Sequence, residues 1–486
     1  MVPQPRARLD HHCRQVKRGQ PLTWDTFGKT GISDNRNNHK SVPCQGLTPL
    51  VVGNHSLGSY NDTLRLNLGC NPLQINGGIV MDLDLLSSLA IENDTKVLLV
   101  VLDGVGGLAG PNGKTSLEAA QTPNLDGLAR SSICGFHDPL GPGLTPGSGP
   151  AHIGLFGYDP FGYMIGRGVL DTAGTPFVFE PGDLASRLNF ATLAADGTIA
   201  DRRAGRIPDE EGKRVTELLA QNIKEIDGVQ VLMQHVKEYR AAAIFRGKKL
   251  DGRLCDSDPQ QVGHKPLQVA PTEKNPTAEA KEAADLANKF IAQAKEVLAD
   301  EQKANFVMMR GFDIYEPLPN FCELYKWRAC AVAAYPMYKG VSKLAGMRVI
   351  EEGQSTMEEE IELVERELAN TDFLFLHIKK ADSMGEDGNF AGKVEVIEHF
   401  DRLLPRLVDL KPDVLCITGD HSTPCSLKSH SWHPVPICIS AENVRTDSCQ
   451  TFGETSFLTG GLGRIHSTDI MPLLLAHGGR LMKYGA

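Results

Sequence analysis

The 486-residue chain carries a formal net charge of −10, with 41% apolar and 23% charged residues. That is the balance of a globular enzyme with a large core, in about two or three domains, and it argues against bulk attraction to nucleic acid or to an anionic membrane. No apolar run approaches a membrane span, and the 11 cysteines include no CxxC pair, which fits a reducing cytoplasmic setting better than a disulfide framework.

In chain order, residues 1–80 stand apart. The stretch from Arg6 to Lys40 is polar and basic without a sustained apolar period. The segment is expected to be a disordered N-terminal extension, an upstream addition with Met81 as the start of the folded chain. Asp10, Asp25 and Asp34 weigh against an organelle transit segment, and the short apolar core of a signal peptide is missing. From Lys96 the pattern turns to α/β. Lys96–Asp103 (KVLLVVLD), Asp372–Ile378 (DFLFLHI) and Asp413–His421 (DVLCITGDH) are short apolar runs, as buried parallel strands read. Helical patterns at Thr122–Ser131, Met357–Leu368 and Lys393–Leu410 separate them. Such alternation predicts a parallel sheet with helices on both faces. Between Leu188 and Asn320 the sequence changes to short strand-like pieces, VQVLMQHV and RAAAIFRGKKLDG, and one Ala/Lys/Glu-rich helix, Thr277–Leu298. The predicted organisation is an α/β core of 81–187 and 321–486 with a smaller α/β domain, 188–320, inserted in it.

Three predicted strands end in chemistry. Asp103 closes the first (LDGVGG), Asp382 follows the second (HIKKADSMGEDG), and Asp420 with His421 closes the third (TGDHSTP). Ligands of open parallel sheets gather beyond the carboxyl ends of the strands. The four residues are therefore expected in one crevice, with Glu386 and His430 near enough in sequence to join them. Carboxylates with imidazoles make a site for two divalent ions, Mn²⁺ or Zn²⁺, with Mg²⁺ as a further alternative. One Asp at a strand end is ordinarily a helix cap or loop ligand, so it is the ordered set that carries the metal reading. His377, inside an apolar strand, reads as a satisfied core histidine. Ser148, in GLTPGSGPAHIGLFGYDP, is the candidate nucleophile. Its glycines and prolines imply a sharp turn before a helix opened by AHIGLF, where free N–H groups and the dipole favour an alkoxide or a phosphate. The competing reading is that Ser148 merely caps that helix. A lipase-type GxSxG elbow is excluded, because Pro146 and Pro150 stand at its glycine positions.

The ordered motifs LDGVGG, TPGSGPAHIGLFGYDP, GRG, DRRAGRI, DSDPQ, YPMYKG, HIKKADSMGEDG, TGDHSTP and HSWHPVP resemble those of the cofactor-independent phosphoglycerate mutases of the archaeal type, bacterial branch, in the alkaline phosphatase superfamily. The resemblance spans residues 81–486. It implies an alkaline-phosphatase-like core with an inserted domain. It also implies a reaction of glycolysis and gluconeogenesis, the interconversion of 3-phosphoglycerate and 2-phosphoglycerate through a phosphoserine on Ser148, with no bisphosphoglycerate cofactor. One metal would be held by Asp103, Ser148, Asp420 and His421, the other by Asp382, Glu386 and His430. Many relatives have His where Glu386 stands. The Glu is read as a branch feature, and its harder oxygen tilts the site toward Mn²⁺ or Mg²⁺, Mn²⁺ being the expected ion. His433 is a weaker ligand candidate.

Arg202, Arg203 and Arg206 of DRRAGRI, ordinarily a solvated loop, would face the metals from the inserted domain and grip carboxylate and phosphate. Arg240, Arg310 and Lys339 match family positions near the substrate. Phosphoglycerate is the expected partner, without nucleic acid or membrane, and nothing in the sequence sets an oligomeric state. Two rivals stand beside this reading. One is a phosphomonoester hydrolase of the same superfamily, which would admit water to the phosphoserine. The other is a catalytically dead scaffold or sensor using the basic tail, against which stands the filling of every expected nucleophile and metal position.

Overall fold

The computed structural model describes residues 82–110, 112–352 and 356–485, with the backbone of 74–75 and 78–79. The rest of the expected N-terminal extension, and Met81, lie outside the described residues.

The core is a sheet of eight strands in the order Arg348–Val349, Ala329–Ala333, Phe373–Ile378, Val97–Leu102, Val414–Thr418, Val435–Ala441, Ile133–Asp138 and Gly463–His466. All run parallel except Val435–Ala441, which is antiparallel to both its neighbours. The continuous apolar runs have a plain cause. Side chains alternate between faces with period two, and helices cover both faces, so neither is left to polar residues. Leu98, Val100 and Leu102 pack with Ile361, Val364, Phe400 and Leu404 on one side. Val97, Leu99 and Val101 pack with Phe156, Met337, Tyr338 and Met471 on the other. Local signals set the covering helices: Thr356 and Glu359 close a capping box at the start of Met357–Glu367. In register, Ile378 lies opposite Leu102 and Thr418 opposite Val101, so the chain leaves three adjacent strands at one edge, carrying the expected acidic and histidine residues with it.

A second sheet is antiparallel throughout, in the order Phe306–Ile314, Leu184–Leu193, Arg240–Arg246, Val229–Lys237 and Glu225–Ile226, with Ile199–Asp201 also on Leu184–Leu193. Helices Asp209–Asn222 and Ala278–Val297 cover one face, where Val215, Leu219, Ala287 and Phe290 meet Leu188, Phe190, Phe245 and Met309. On the other face Ala185, Ala242 and Ile244 meet Val169 of the helix Arg167–Ala173. The smaller α/β unit is thus made of antiparallel strands backed by two helices. Position 188 falls within the strand Leu184–Leu193, so the second sheet begins before it and ends at Ile314. Among the described residues no helix is long and apolar enough to cross a membrane, and each described cysteine is a free thiol.

Candidate active site

Asp103 and Asp420 are fully buried where two parallel strands end. Gly104 lets the strand ends close up: its φ is +64°, and a Cβ there would lie 2.9 Å from the Asp382 Cα, a conformation and a gap suited to glycine. The backbone N–H groups of Gly104 and His421 each donate to Asp420 Oδ1 at 3.0 Å. The other oxygen, Asp420 Oδ2, and Asp103 Oδ1 are buried without a hydrogen-bond partner among the described residues. Both approach His421 Nε2, at 3.2 and 3.4 Å, and Ser148 Oγ lies 3.3 Å from the same nitrogen.

The far side of the ring says what that nitrogen carries. Thr423 Oγ1 donates to Asp382 Oδ1 at 2.7 Å and so accepts from His421 Nδ1–H at 3.0 Å. His421 Nε2 is left with a lone pair, facing two carboxylate oxygens and a hydroxyl. Burial, then the Asp103 charge, push the Asp420 carboxyl well above the usual range. Burial also opposes ionisation of Asp103, but the adjoining His377 and the Lys379 ammonium override it and hold Asp103 well below that range.

A second donor group lies alongside. Asp382 and Glu386 are four residues apart on the helix Lys380–Asp387 and share a face. His430 Nδ1 donates to the Pro146 carbonyl at 2.9 Å, which turns Nε2 toward Asp382 Oδ1 at 3.6 Å and Glu386 Oε1 at 3.9 Å. Burial and the Asp382 charge raise the Glu386 carboxyl. The His421 and His430 rings stack with centroids 3.6 Å apart and join the two groups. Unpartnered carboxylate oxygens and imidazole lone pairs make a donor set that fits divalent cations. His433 instead meets Ser431 Oγ at 3.0 Å, stacks on Trp432 and stays outside both groups.

Ser148 opens the helix Ser148–Leu155, and the capping position belongs to Gly147. The serine hydroxyl is therefore free of the capping duty that competed for it. The reading of His377 as a satisfied core histidine needs correction. It is buried in its strand, but Nε2 lies 3.2 Å from Asp103 Oδ2, because the last inward-facing positions of adjacent strands share one edge. Two further residues went unread. Tyr338 donates a short hydrogen bond to Asp103, and its ring stacks on His377 at 3.6 Å. Lys379 Nζ stands 3.0 Å from Asp103 Oδ2 and 2.5 Å from Asp382 Oδ2. Both sit inside the motifs YPMYKG and HIKKADSMGEDG, Tyr338 one residue before Lys339 and Lys379 three residues before Asp382.

The arginines divide. Arg202 makes a two-pronged ion pair with Asp258, at 2.9 and 2.6 Å, and Arg310 meets Asp256 and Asp258 at 3.2 and 3.3 Å; the DSDPQ motif serves both. Arg203 is exposed, and Arg206, 61% exposed, lies 4.0 Å from Glu238. Arg240 reaches from the second sheet to the core, donating to Tyr335 Oη at 3.3 Å and to Tyr239 Oη at 3.2 Å, while its Nε is buried and unpartnered. The Tyr335 and Tyr338 rings are 5.9 Å apart, which places Arg240 one side chain from the Asp103 cluster. Arg187, a lone basic residue in LASRLNF with no local signal, lies among Arg240, Arg310 and Arg167; burial, then those charges, lower it despite Asp171. Lys339 is turned to Glu351 at 3.3 Å.

These features define an α/β enzyme whose serine stands beside a buried donor set for divalent cations, with arginines of the second sheet next to it. The family model for 2,3-bisphosphoglycerate-independent phosphoglycerate mutase matches residues 129–304. Proteins named as probable mutases of this kind, from Aquifex aeolicus and Thermus thermophilus, are 49% and 47% identical, over 83% and 84% of this chain and 100% of theirs. Among solved structures, a Pyrococcus horikoshii protein is similar with a TM-score of 0.69 at 32% identity, over 81% of this chain and 100% of that one. The cofactor-independent phosphoglycerate mutase of Thermoplasma acidophilum has a TM-score of 0.61 at 30% identity, over 79% and 100%. The chain belongs to the 2,3-bisphosphoglycerate-independent phosphoglycerate mutases, and it is an isomerase of that family.

Proposed function

We propose that the chain interconverts 3-phosphoglycerate and 2-phosphoglycerate through a phosphoserine on Ser148, in the cytoplasm and as a step of glycolysis and gluconeogenesis. The observation that carries this reading is the meeting of Ser148 Oγ, Asp103 Oδ1 and Asp420 Oδ2 at one unprotonated imidazole nitrogen, that of His421. Asp103, Ser148, Asp420 and His421 would hold one divalent ion, and Asp382, Glu386 and His430 the other, with Mn²⁺ the ion we expect. Such ions, when bound, lower a serine pKa and offset charge developing on a phosphoryl group.

The chain's own residues do the rest. Ser148 Oγ forms a bond to phosphorus while the ester P–O bond of the substrate breaks, and the proton lost by the serine ends on the released glycerate oxygen. The glycerate stays bound and turns, and its other hydroxyl takes the phosphoryl group back as the serine recovers its proton. Retention needs a grip on the carboxylate. Arg187, Arg240 and Arg310 supply guanidinium groups for it, carried on an insert that we place at 184–314 and that closes over the core to exclude water. Ser148→Ala should abolish turnover and leave the fold intact; the check is a coupled assay for 2-phosphoglycerate beside circular dichroism. A mutant keeping about a tenth of wild-type mutase activity would overturn the covalent route, since loss of a nucleophile costs orders of magnitude.

A further inference from the structure

We infer that Lys393 is a positioning residue whose ammonium fixes the spacing of the segments carrying the two proposed metal-ligand groups. The inference rests on the reading of Asp103, Asp382, Asp420 and His421 as ligands.

Lys393 lies in the first turn of the helix Phe390–Val408 and is 0% exposed. A fully buried lysine is rare unless it is paired with an opposite charge, and this one makes no ion pair among the described residues. Its Nζ donates instead to three backbone carbonyls: Gly104 at 2.7 Å, Gly106 at 3.0 Å and Thr423 at 2.9 Å. An ammonium has three N–H donors and no acceptor, so this set uses it completely. The first two carbonyls belong to the loop that follows Asp103. The third belongs to the loop that follows Asp420 and His421. The helix that carries Lys393 comes directly after Lys380–Asp387, the bearer of Asp382 and Glu386, through the left-handed turn at Gly388. One amine thus ties together three chain segments that leave the sheet separately.

Its partners are backbone atoms, so its grip does not depend on what sits among the carboxylates. The backbone alone repeats part of the link, with Thr423 N donating to Gly106 O at 3.0 Å and more weakly to Gly104 O at 3.3 Å. No described backbone bond repeats the link to the Thr423 carbonyl. Removing the amine therefore leaves a buried carbonyl short of a donor and frees one loop to shift against the other. Partners of this outer kind set the orientation and affinity of metal ligands.

Two substitutions separate this role from the filling of space. Lys393→Met keeps the length and bulk of the side chain and removes the ammonium. Lys393→Arg keeps charge and donors and disturbs the packing. The full chain is stripped of metal and titrated with Mn²⁺ alone, free Mn²⁺ being followed by its paramagnetic resonance, and kcat and KM are measured on the reloaded enzyme. Lys393→Met should weaken Mn²⁺ binding by about 10–100-fold and lower kcat, with KM for phosphoglycerate within about threefold of wild type. Lys393→Arg should bind Mn²⁺ more tightly than Lys393→Met. Unchanged Mn²⁺ affinity in Lys393→Met overturns the inference, and so does Lys393→Arg binding more weakly than Lys393→Met. Loss of native circular dichroism in both metal-free variants also overturns it, since the lysine would then be a folding determinant only. If the wild-type chain itself binds no Mn²⁺, the ligand reading fails first and takes this inference with it.

Discussion

Replacing Arg240 with Ala should separate the holding of glycerate from phosphoryl transfer. Its guanidinium has five N–H donors but meets only the Tyr335 and Tyr239 hydroxyls, at 3.3 and 3.2 Å, and its Nε is buried without a partner. The unspent donors are available to a substrate carboxylate. One hydrogen bond to a charged group is worth about 1.5–3 kcal/mol, so at about 1.4 kcal/mol per factor of ten the loss in mutase kcat/KM should be about 10–150-fold. Ser148 and the proposed ligand set are untouched, so phosphoserine should still form. Glycerate then escapes and water discharges the phosphoserine, and the ratio of released phosphate to isomerised product rises. The natural control is Arg206→Ala. That side chain is 61% exposed and 4.0 Å from Glu238, an interaction of at most about 1 kcal/mol, or about fivefold. The assay couples 2-phosphoglycerate formation to its consumption while inorganic phosphate is read in parallel. Equal losses of mutase and phosphoserine formation would move Arg240 into the transfer step itself. An Arg206→Ala defect as large as that of Arg240→Ala would refute the division of the arginines by burial.

Glu386→Gln should weaken one bound divalent ion far more than the other, because Glu386 Oε1 lies 3.9 Å from His430 Nε2 and belongs only to the proposed ligand set with Asp382; a two-site Mn²⁺ titration with equal loss at both sites, or at neither, would show it misplaced. Exhaustive chelation should remove mutase activity and added Mn²⁺ should restore it, whereas full activity in protein shown metal-free by elemental analysis would remove the cation site. Glu360 supplies a pH test away from the site. It is 6% exposed on Met357–Glu367, and burial raises its carboxyl from 4.5 to about 8. A folded-state value above the unfolded one means stability that is present in full below about pH 4.5 and is lost as pH rises through about 8. Glu360→Gln should therefore raise the melting temperature at pH 9 and leave it nearly unchanged at pH 4.5, by an upper bound of about 5 kcal/mol for the shift involved; a variant equally or less stable at pH 9 would contradict the burial argument.

What could be read from sequence follows from what is local. The runs around Val97–Leu102, Phe373–Ile378 and Val414–Thr418 declared themselves because strands covered on both faces have no room for polar residues. The helix Met357–Glu367 showed in its helical pattern and Ala278–Val297 in its Ala/Lys/Glu-rich composition. Val435–Ala441 did not, since PVPICISA is a short run opened by prolines, and its antiparallel placement is decided by its pairing with the preceding strand Val414–Thr418 and with Ile133–Asp138, far away in the chain. The same limit divides the site. Asp103, Asp382, Asp420 and His421 announce themselves at strand ends. Tyr338 reaches Asp103 only because a helix from the other half of the core crosses above it, and no local pattern separates it from Lys339, which faces Glu351. DRRAGRI looked like one basic patch because three arginines are adjacent in sequence. In the fold one is neutralised by Asp258 and two face solvent, while Arg187, which no neighbour marked, lies among Arg240, Arg310 and Arg167.

The charges around Ser148 also suggest why two ions suit this site better than one. Asp103, Asp382, Asp420 and Glu386 bring four formal negative charges, and Lys379 and Lys393 bring two positive ones. Without ions the imbalance is eased by Lys379 lying across Asp103 and Asp382, while burial and the Asp103 charge raise the Asp420 carboxyl. One divalent ion on the proposed ligand sets would bring this formal sum only to neutrality. A second gives an excess of two positive charges, the complement of a phosphate monoester near −2 at neutral pH. On this reading, a charge able to accept a phosphoryl group on Ser148 would need both proposed ions in place. Occupancy of the Glu386 group should therefore register in the KM for phosphoglycerate as well as in kcat.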